Sequence, residues 1–495
     1  SLTAASQTQD HASHDPLSMP DNVPRRRPIR FLFENSVFLI VGAVVALVWA
    51  NMAPDSVNDK GEIIERQSYG RFVHFAILGA DEAHQVAPLD DLQPPLREPD
   101  SWTGNLYRTL IERPDIHGHR HGVTMHFLVN DLLMAIFFAI AACEVWEALL
   151  PGGALSNARK AATPLMATLG GILGPVAIYL GGAAWFGELE SLGRGWAVPC
   201  ATDIAFSYLV ARIIFGAGHP AIVFLLLLAI ADDAAGLAIL AIAYPTNPIE
   251  PGWFLLTAGA MGTCYLFRRL RLHSFWWYLL VPGSMCWVSF AMAGIHPALG
   301  LVPIIPCLPH AHTDLGLFAR EELSRRDTLS EFVAWWKNPV EIILGLFGLI
   351  NAGVVLSSMG TGTWLVLAGL LIGKPIGILF FTWFAQIVLK LEIPDGMSYR
   401  HVLVVGVIAG IGFTVSLFVA TAAFHDPGPI QDSVKMGALL SFIAGVLAFA
   451  VARVARIKPF SAEENLLTDS APSLDEGGEE MSDLTPDDGQ ESGAY

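Results

Sequence analysis

The sequence predicts an all-α polytopic membrane protein, and three observations predict it. Of 495 residues, 53% are hydrophobic and only 15% charged, a balance outside the range of ordinary soluble domains. Apolar runs of about 18 to 25 residues, enough for a helix to cross a ~30 Å hydrocarbon core, recur from Phe38 to Val451. The charge lies elsewhere. Residues 461–495 hold eleven carboxylates and no Lys or Arg, and residues 53–125 hold twelve carboxylates against seven basic groups, so these two segments carry all but one unit of the net −17. Such a chain suits a lipid bilayer and no nucleic acid.

Apolar runs bounded by charges, Pro/Gly clusters or Asn/Asp turns mark about twelve spans, near 33–52, 125–149, 161–185, 197–215, 219–244, 252–267, 274–293, 296–308, 338–357, 363–389, 399–424 and 434–454. Short cytoplasmic loops hold the Lys and Arg, and the basic clusters Arg25 to Arg30, Arg159-Lys160, Arg268 to Arg271, Arg320 to Lys337 and Arg453 to Lys458 all fall on one side of that count. Both termini are then cytoplasmic. The chain divides into a cytoplasmic N-terminal segment, 1–30, a transmembrane domain, 31–455, that includes the long extracytoplasmic loop 53–125, and an acidic tail, 456–495. The loop contains Phe72 to Leu78, with alternation enough for a small β-hairpin. The tail is poor in apolar residues and expected to be disordered. Residues 1–24 are polar, with no short apolar stretch and cleavage site after them, so the first span is expected to be retained. Five cysteines lack any CxxC or metal-ligand spacing and read as small buried hydrophobes without disulfides.

Ionisable groups inside spans are the informative exceptions. A charge at the bilayer centre costs about 2.5 to 3.5 kcal/mol, so Asp203, Asp232, Asp233 and Lys374 must face one another or a water-filled cavity. A buried salt bridge that fixes helix packing accounts for one Asp with Lys374. It leaves two carboxylates to be neutralised by a proton or a bound cation, which points to transport. Span 4 opens Ala197-Val198-Pro199-Cys200-Ala201-Thr202-Asp203, and span 11 contains Gly406, Gly410 and Gly412. Each is a weak point for a helix. Glycines at such spacing more often serve packing, but spans 4 and 11 are the middle members of spans 3–5 and 10–12, the placement expected of inverted-topology repeats with two broken helices crossing at the midplane. Asp203 would there neutralise positive half-helix ends.

The stretches Pro199 to Phe206, Leu228 to Asp233, Gly373-Lys374-Pro375-Ile376-Gly377 and Gly410 to Phe418 closely resemble the NhaA-type sodium/proton antiporters, and Asn130-Asp131 and Asn351-Ala352-Gly353-Val354 continue the resemblance in order over about 33–455. The resemblance implies a secondary active transporter, not an enzyme. It would exchange cytoplasmic Na⁺ or Li⁺ for external H⁺ by alternating access, electrogenic and pH-regulated, in a bacterial inner membrane and without a cofactor. It implies that Asp232 and Asp233 hold the metal ion and carry the proton, that Thr202 and Asp203 belong to the broken helix beside them, and that Lys374 pairs with Asp232 in the empty or protonated site. A homodimer is implied, made through the span 1–2 connection. The chain departs from the family where a basic pair usually follows the glutamate at the end of span 2, reading Cys143-Glu144-Val145-Trp146-Glu147, in a region implicated in pH regulation. The 53–125 loop is longer than usual, and the acidic tail is extra.

Other readings use the same residues. Hard alkali cations take oxygen ligands, which carboxylates, the Thr202 hydroxyl and unwound carbonyls supply. A proton-coupled symporter of an organic solute would need a larger pocket. An intramembrane aspartyl protease would need two carboxylates sharing a proton; neighbours such as Asp232 and Asp233 diverge by about 100° on a helix, which leaves a dyad of Asp203 with Asp232. His117, His119 and His121 alternate so as to share one face of a strand, a pattern that could bind a metal or sense external pH, although loop histidines are more often solvated. Glu341 is expected at the cytoplasmic start of span 9.

Overall fold

The computed structural model describes residues 37–52, 56–57, 63–65, 68–78, 113–114, 120–121, 123–151, 153, 155–156, 158–309, 328–394, 396–424, 428–457 and 459. The described chain is mostly helical. In chain order the principal helices are α1 Val37–Met52, α2 Met125–Leu149, α3 Ala158–Phe186, α4 Ile204–Phe215, α5 Pro220–Ala243 and α6 Phe254–Arg269. There follow α7 Phe275–Ala293, α8 Thr328–Asn351 and α9 Thr361–Ile387, α10 Tyr399–Ala409, α11 Phe413–Ala423 and α12 Pro429–Val454. Among the described residues, seven helices are long and apolar enough to cross a membrane, or up to nine if each of two bent pairs is one span. The chain is a multi-pass membrane protein. Both breaks fall where Pro and Gly weaken the backbone: Leu189–Cys200 meets α4 at 51°, and α10 meets α11 at 50°.

Three expectations change in detail. The run at 296–308 is a pair of 3-10 helices, Pro297–Leu299 and Val302–Cys307, because Pro297, Pro303 and Pro306 remove the donors a continuous α-helix needs. Pro339 lies inside α8, so Glu341 is half-buried in mid-helix and not at its start. The segment 72–78 is no hairpin of its own. Its first part ends the short helix Ser68–Val73, and Ala76–Leu78 pairs antiparallel with Val123–Thr124 from the far end of the loop. A separate two-stranded ladder joins Ser56–Val57 to Ile63–Glu65. Arg113 is paired with His121, while His117, His119, the segment 1–30 and the tail beyond 459 lie outside the described residues.

Close backbone contact sets the packing around the site. A Cβ on Gly377 would lie 2.0 Å from the Gly170 carbonyl oxygen, and one on Gly174 would lie 2.2 Å from that of Gly373. Only glycine at these positions lets α3 and α9 approach to backbone contact, the small-xxx-small device of membrane helices. Gly42 and Gly345 bring α1 onto α8 in the same way, with a built Cβ on Gly42 only 2.1 Å from the Gly345 oxygen. The end of α8 is tied to α2 by a buried reciprocal amide pair: Asn130 Nδ2 donates to Asn351 Oδ1 at 3.0 Å, and Asn351 Nδ2 to Asn130 Oδ1 at 2.7 Å.

Candidate ion-binding site at the crossing of the broken helices

The breaks in the two bent helices face each other, and their backbones bond. The amide of Asp203 donates to the Ile411 carbonyl at 2.7 Å. Gly412 permits the approach, since a Cβ there would lie 2.9 Å from the Ala201 oxygen. Four half-helix ends therefore converge, each with unsatisfied backbone groups.

Asp203 occupies the positive ends. Its Oδ1 caps α4 by accepting from the Phe206 amide at 3.2 Å, and its Oδ2 accepts from the Thr414 hydroxyl at 2.7 Å and the Thr414 amide at 3.3 Å, in the first turn of α11. One carboxylate thus serves two helix N-termini, where the macrodipole favours negative charge. Lys374 occupies a negative end. Its Nζ donates to the Cys200 carbonyl, the last of the 3-10 segment, at 2.5 Å, and pairs with Asp232 Oδ2 at 3.0 Å. The lysine is 0% exposed and Asp232 4%, so the pair is removed from water.

Thr202 completes the cluster, donating to Asp232 Oδ2 at 2.7 Å; its hydroxyl also lies 3.3 Å from the Ala409 carbonyl. Both donors reach the same oxygen. Asp232 Oδ1 is buried and has no hydrogen-bond partner among the described residues. An orphaned carboxylate oxygen at the bottom of a polar cluster is where a proton or a hard cation fits.

Asp233, one residue on, turns away from this cluster. It lines a cleft with Phe137, Phe138 and Ala141 of α2, Gly236 and Leu240 of α5, and Phe418 of α11. The cleft has room for little more than a water-sized group. The structure therefore brings Thr202, Asp232 and Lys374 together and bonds Asp203 to the opposite broken helix, leaving Asp233 as a second carboxylate on another wall. Asp203 shares no hydrogen bond with Asp232, which removes the geometry of a protease dyad. The cleft beside Asp233 is smaller than an organic solute.

Two partners escaped the sequence reading. Thr414 was visible as a hydroxyl beside Gly410 and Gly412, but its bond to Asp203 spans 211 residues. The Cys200 carbonyl carried no signal, because a backbone acceptor belongs to every residue.

Opposed half-helix ends around a buried ion pair, inside a polytopic bundle, define an ion-coupled secondary transporter. Comparison with known sequences makes this particular. The model of the family described as Na+/H+ antiporter 1 matches residues 100–452. The chain is 47% identical over 449 residues to a protein named Na(+)/H(+) antiporter NhaA from Jannaschia sp. (strain CCS1), covering 86% of this chain and 98% of that one. It is 43% identical over 437 residues to the like-named protein of Desulfitobacterium hafniense (strain DSM 10664 / DCB-2), covering 88% and 97%. With that of Geobacter sulfurreducens (strain ATCC 51573 / DSM 12127 / PCA) it shares 42% over 435 residues, covering 88% and 99%. The chain belongs to the Na+/H+ antiporter 1 family.

Proposed function

We propose that this chain exchanges cytoplasmic Na⁺ or Li⁺ for external H⁺ by alternating access around Asp232. The observation that carries the reading is the asymmetric carboxylate: Oδ2 is held by Lys374 and Thr202, while Oδ1 is buried without a hydrogen-bond partner among the described residues. A proton or a desolvated alkali cation can occupy Oδ1, but not both, and that competition is what antiport requires. Asp233 supplies a second proton-carrying or cation-binding group at the cleft. With Asp203 committed to two helix ends, it balances backbone charge and takes no part in the competition. Two carboxylates that interact give up their protons in coupled steps, so more than one proton can leave per cation and exchange is electrogenic and pH-regulated.

The proposed arrangement has twelve crossings: the seven long helices, the two bent pairs, α1, α6 and the 3-10 pair at 297–307. Spans 3–5 and 10–12 form inverted repeats, and loop charge supports cytoplasmic termini in a bacterial inner membrane. A homodimer is part of the same proposal, supported by the family resemblance. The transmembrane domain 31–455 carries transport, with 1–30 and 456–495 as cytoplasmic appendages.

The test is cation-induced pH change in everted membrane vesicles, with and without a membrane potential. Na⁺ or Li⁺ should release protons. Proton movement driven by an organic solute instead of Na⁺ or Li⁺ would overturn the proposal.

A further inference from the structure

We infer that Phe138 is the barrier residue of this exchange: its ring, set edge-on against Phe418, seals the cleft beside Asp233 from the extracytoplasmic side. The inference rests on the antiporter reading and its topology, in which α2 begins, and α5 and α11 end, at the extracytoplasmic face.

The cleft lies between α2, α5 and α11, and Asp233 is the only polar side chain among its described lining residues. From Asp233 it runs outward. Gly236, Leu237 and Leu240 follow Asp233 on α5, and Val415, Phe418 and Val419 belong to the outer half of broken span 11. Where α2 meets α11, two rings close it. Phe138 and Phe418 stand T-shaped, with centroids 4.8 Å apart and planes 70° apart, an arrangement that aromatic pairs prefer. They are 4% and 1% exposed. Phe418 is flanked as well by Phe347 of α8, at 6.2 Å between centroids, and by His296, at 4.9 Å.

Polar groups resume on both sides of the rings. Outward, Asp131 stands seven residues before Phe138 on α2, about 10 Å away at 1.5 Å per residue, and its Oδ1 lies 3.7 Å from His296 Nδ1. One turn past Phe418, the Thr421 hydroxyl donates to Asn351 Oδ1 at 3.3 Å, which joins α11 to the amide pair of α2 and α8. Inward, α2 continues through Ala141 to the exposed Glu144, a carboxylate within electrostatic reach of Asp233. An aromatic layer thus divides the carboxylates of α2, and Asp233 lies on the inner side of it. Water does not wet so narrow an apolar constriction, and the rings offer neither a cation nor a proton the polar partners it needs. Asp233 is therefore cut off from the outer polar groups for as long as α11 lies against α2. Opening to the outside moves α11 off α2 and parts Phe418 from Phe138.

Phe138→Ala removes the ring, whereas Phe138→Leu keeps an apolar side chain in its place. The readout is decay of an imposed pH gradient in proteoliposomes without Na⁺ or Li⁺, with valinomycin and K⁺ to clamp the potential. Phe138→Ala should let the gradient decay at least threefold faster than the unmutated protein, and Phe138→Leu should hold it. Adding Asp233→Asn to Phe138→Ala should abolish the excess decay, because the proton loses its carrier in the cleft. A gradient that Phe138→Ala holds as long as the unmutated protein does, or a leak that survives Asp233→Asn, overturns the inference. Lost stability alone would slow exchange without opening a leak. The unmutated protein separates the two claims: if it fails to exchange Na⁺ for H⁺, the antiporter reading falls, and if it exchanges while Phe138→Ala holds the gradient, only the barrier falls. Should Phe138→Ala not insert, Gly236→Cys decides. A Cβ at 236 meets nothing within 4 Å, so a thiol fits there. With Na⁺ absent, Ag⁺, a thiol-binding cation close to Na⁺ in size, should block position 236 at least threefold faster in everted than in right-side-out vesicles. Blocking is read by mass spectrometry as loss of alkylation at 236 after denaturation. Equal rates from both faces overturn the inference.

Discussion

Lys374 stands fully buried between a carboxylate and a carbonyl, and that position makes its removal costly. Breaking a buried pair by deleting one partner destabilises by about 3 to 5 kcal/mol, because the other charge stays behind. Lys374→Ala should therefore lower the melting temperature of the detergent-purified protein as well as alter exchange. An unchanged melting temperature would mean that the pair at 3.0 Å contributes nothing to holding the bundle together. Asp233→Asn is expected to behave differently. Its side chain lines a cleft instead of the ion-pair cluster, so the fold should survive while cation-induced proton release is lost, since an amide neither takes up a proton nor balances a cation. Properly inserted Asp233→Asn protein with normal exchange would remove this residue from the site. All five site residues were legible as ionisable or hydroxyl groups inside apolar runs, where their burial has to be compensated. Their division of labour was not, because it depends on which way neighbouring side chains point from a broken helix.

At the scale of helices, the α3–α9 seam links packing to chemistry. Gly373 and Gly377 flank Lys374 on the face that meets Gly170 and Gly174. Gly377→Ala places a methyl group 2.0 Å from the Gly170 oxygen, so the helices must separate. Overpacking of this kind typically costs about 1 to 3 kcal/mol. The expected outcome is a lower melting temperature together with weaker Na⁺ affinity, because α9 carries Lys374 away from Asp232 as it moves. A stability loss with unaltered ion affinity would show that the ion pair adjusts independently of the seam. The two breaks were readable from Pro199 and from Gly410 and Gly412. What escaped was the 3-10 form of the arm at 193–200 and the continuation of α8 through Pro339, since both are decided by neighbouring helices that supply or withhold partners for the backbone.

For the molecule as a whole, the prediction concerns what can be removed. Residues 461–495 hold eleven carboxylates and no basic group, a composition that buries little. Their field is screened within about 8 Å at physiological salt, whereas half the bilayer core is about 15 Å. A chain ending at Phe460 should insert and exchange at near-normal maximal rate. A shift of more than about one pH unit in half-maximal activity, worth about 1.4 kcal/mol, would identify the tail as a docked regulatory element. Hydropathy located the seven helices among the described residues that are long and apolar enough to cross a bilayer, because length against bilayer thickness is a strong constraint. It served short or proline-rich pieces such as 297–307 poorly, since their place is fixed by the helices around them.

The pairing of Asp232 with Lys374 also orders events during synthesis. The two residues lie 142 positions apart in the chain. At about 5 to 20 residues per second, α5 leaves the ribosome about 7 to 28 s before the residue that will compensate it exists. Through that interval two carboxyl groups have to be admitted to the bilayer with an insertion penalty of up to about 3.5 kcal/mol each, offset only by the leucine- and isoleucine-rich turns around them. The density of apolar residues in Ile222–Ile230 thus serves the nascent chain as much as the finished one: it carries α5 across while the partner is still unmade.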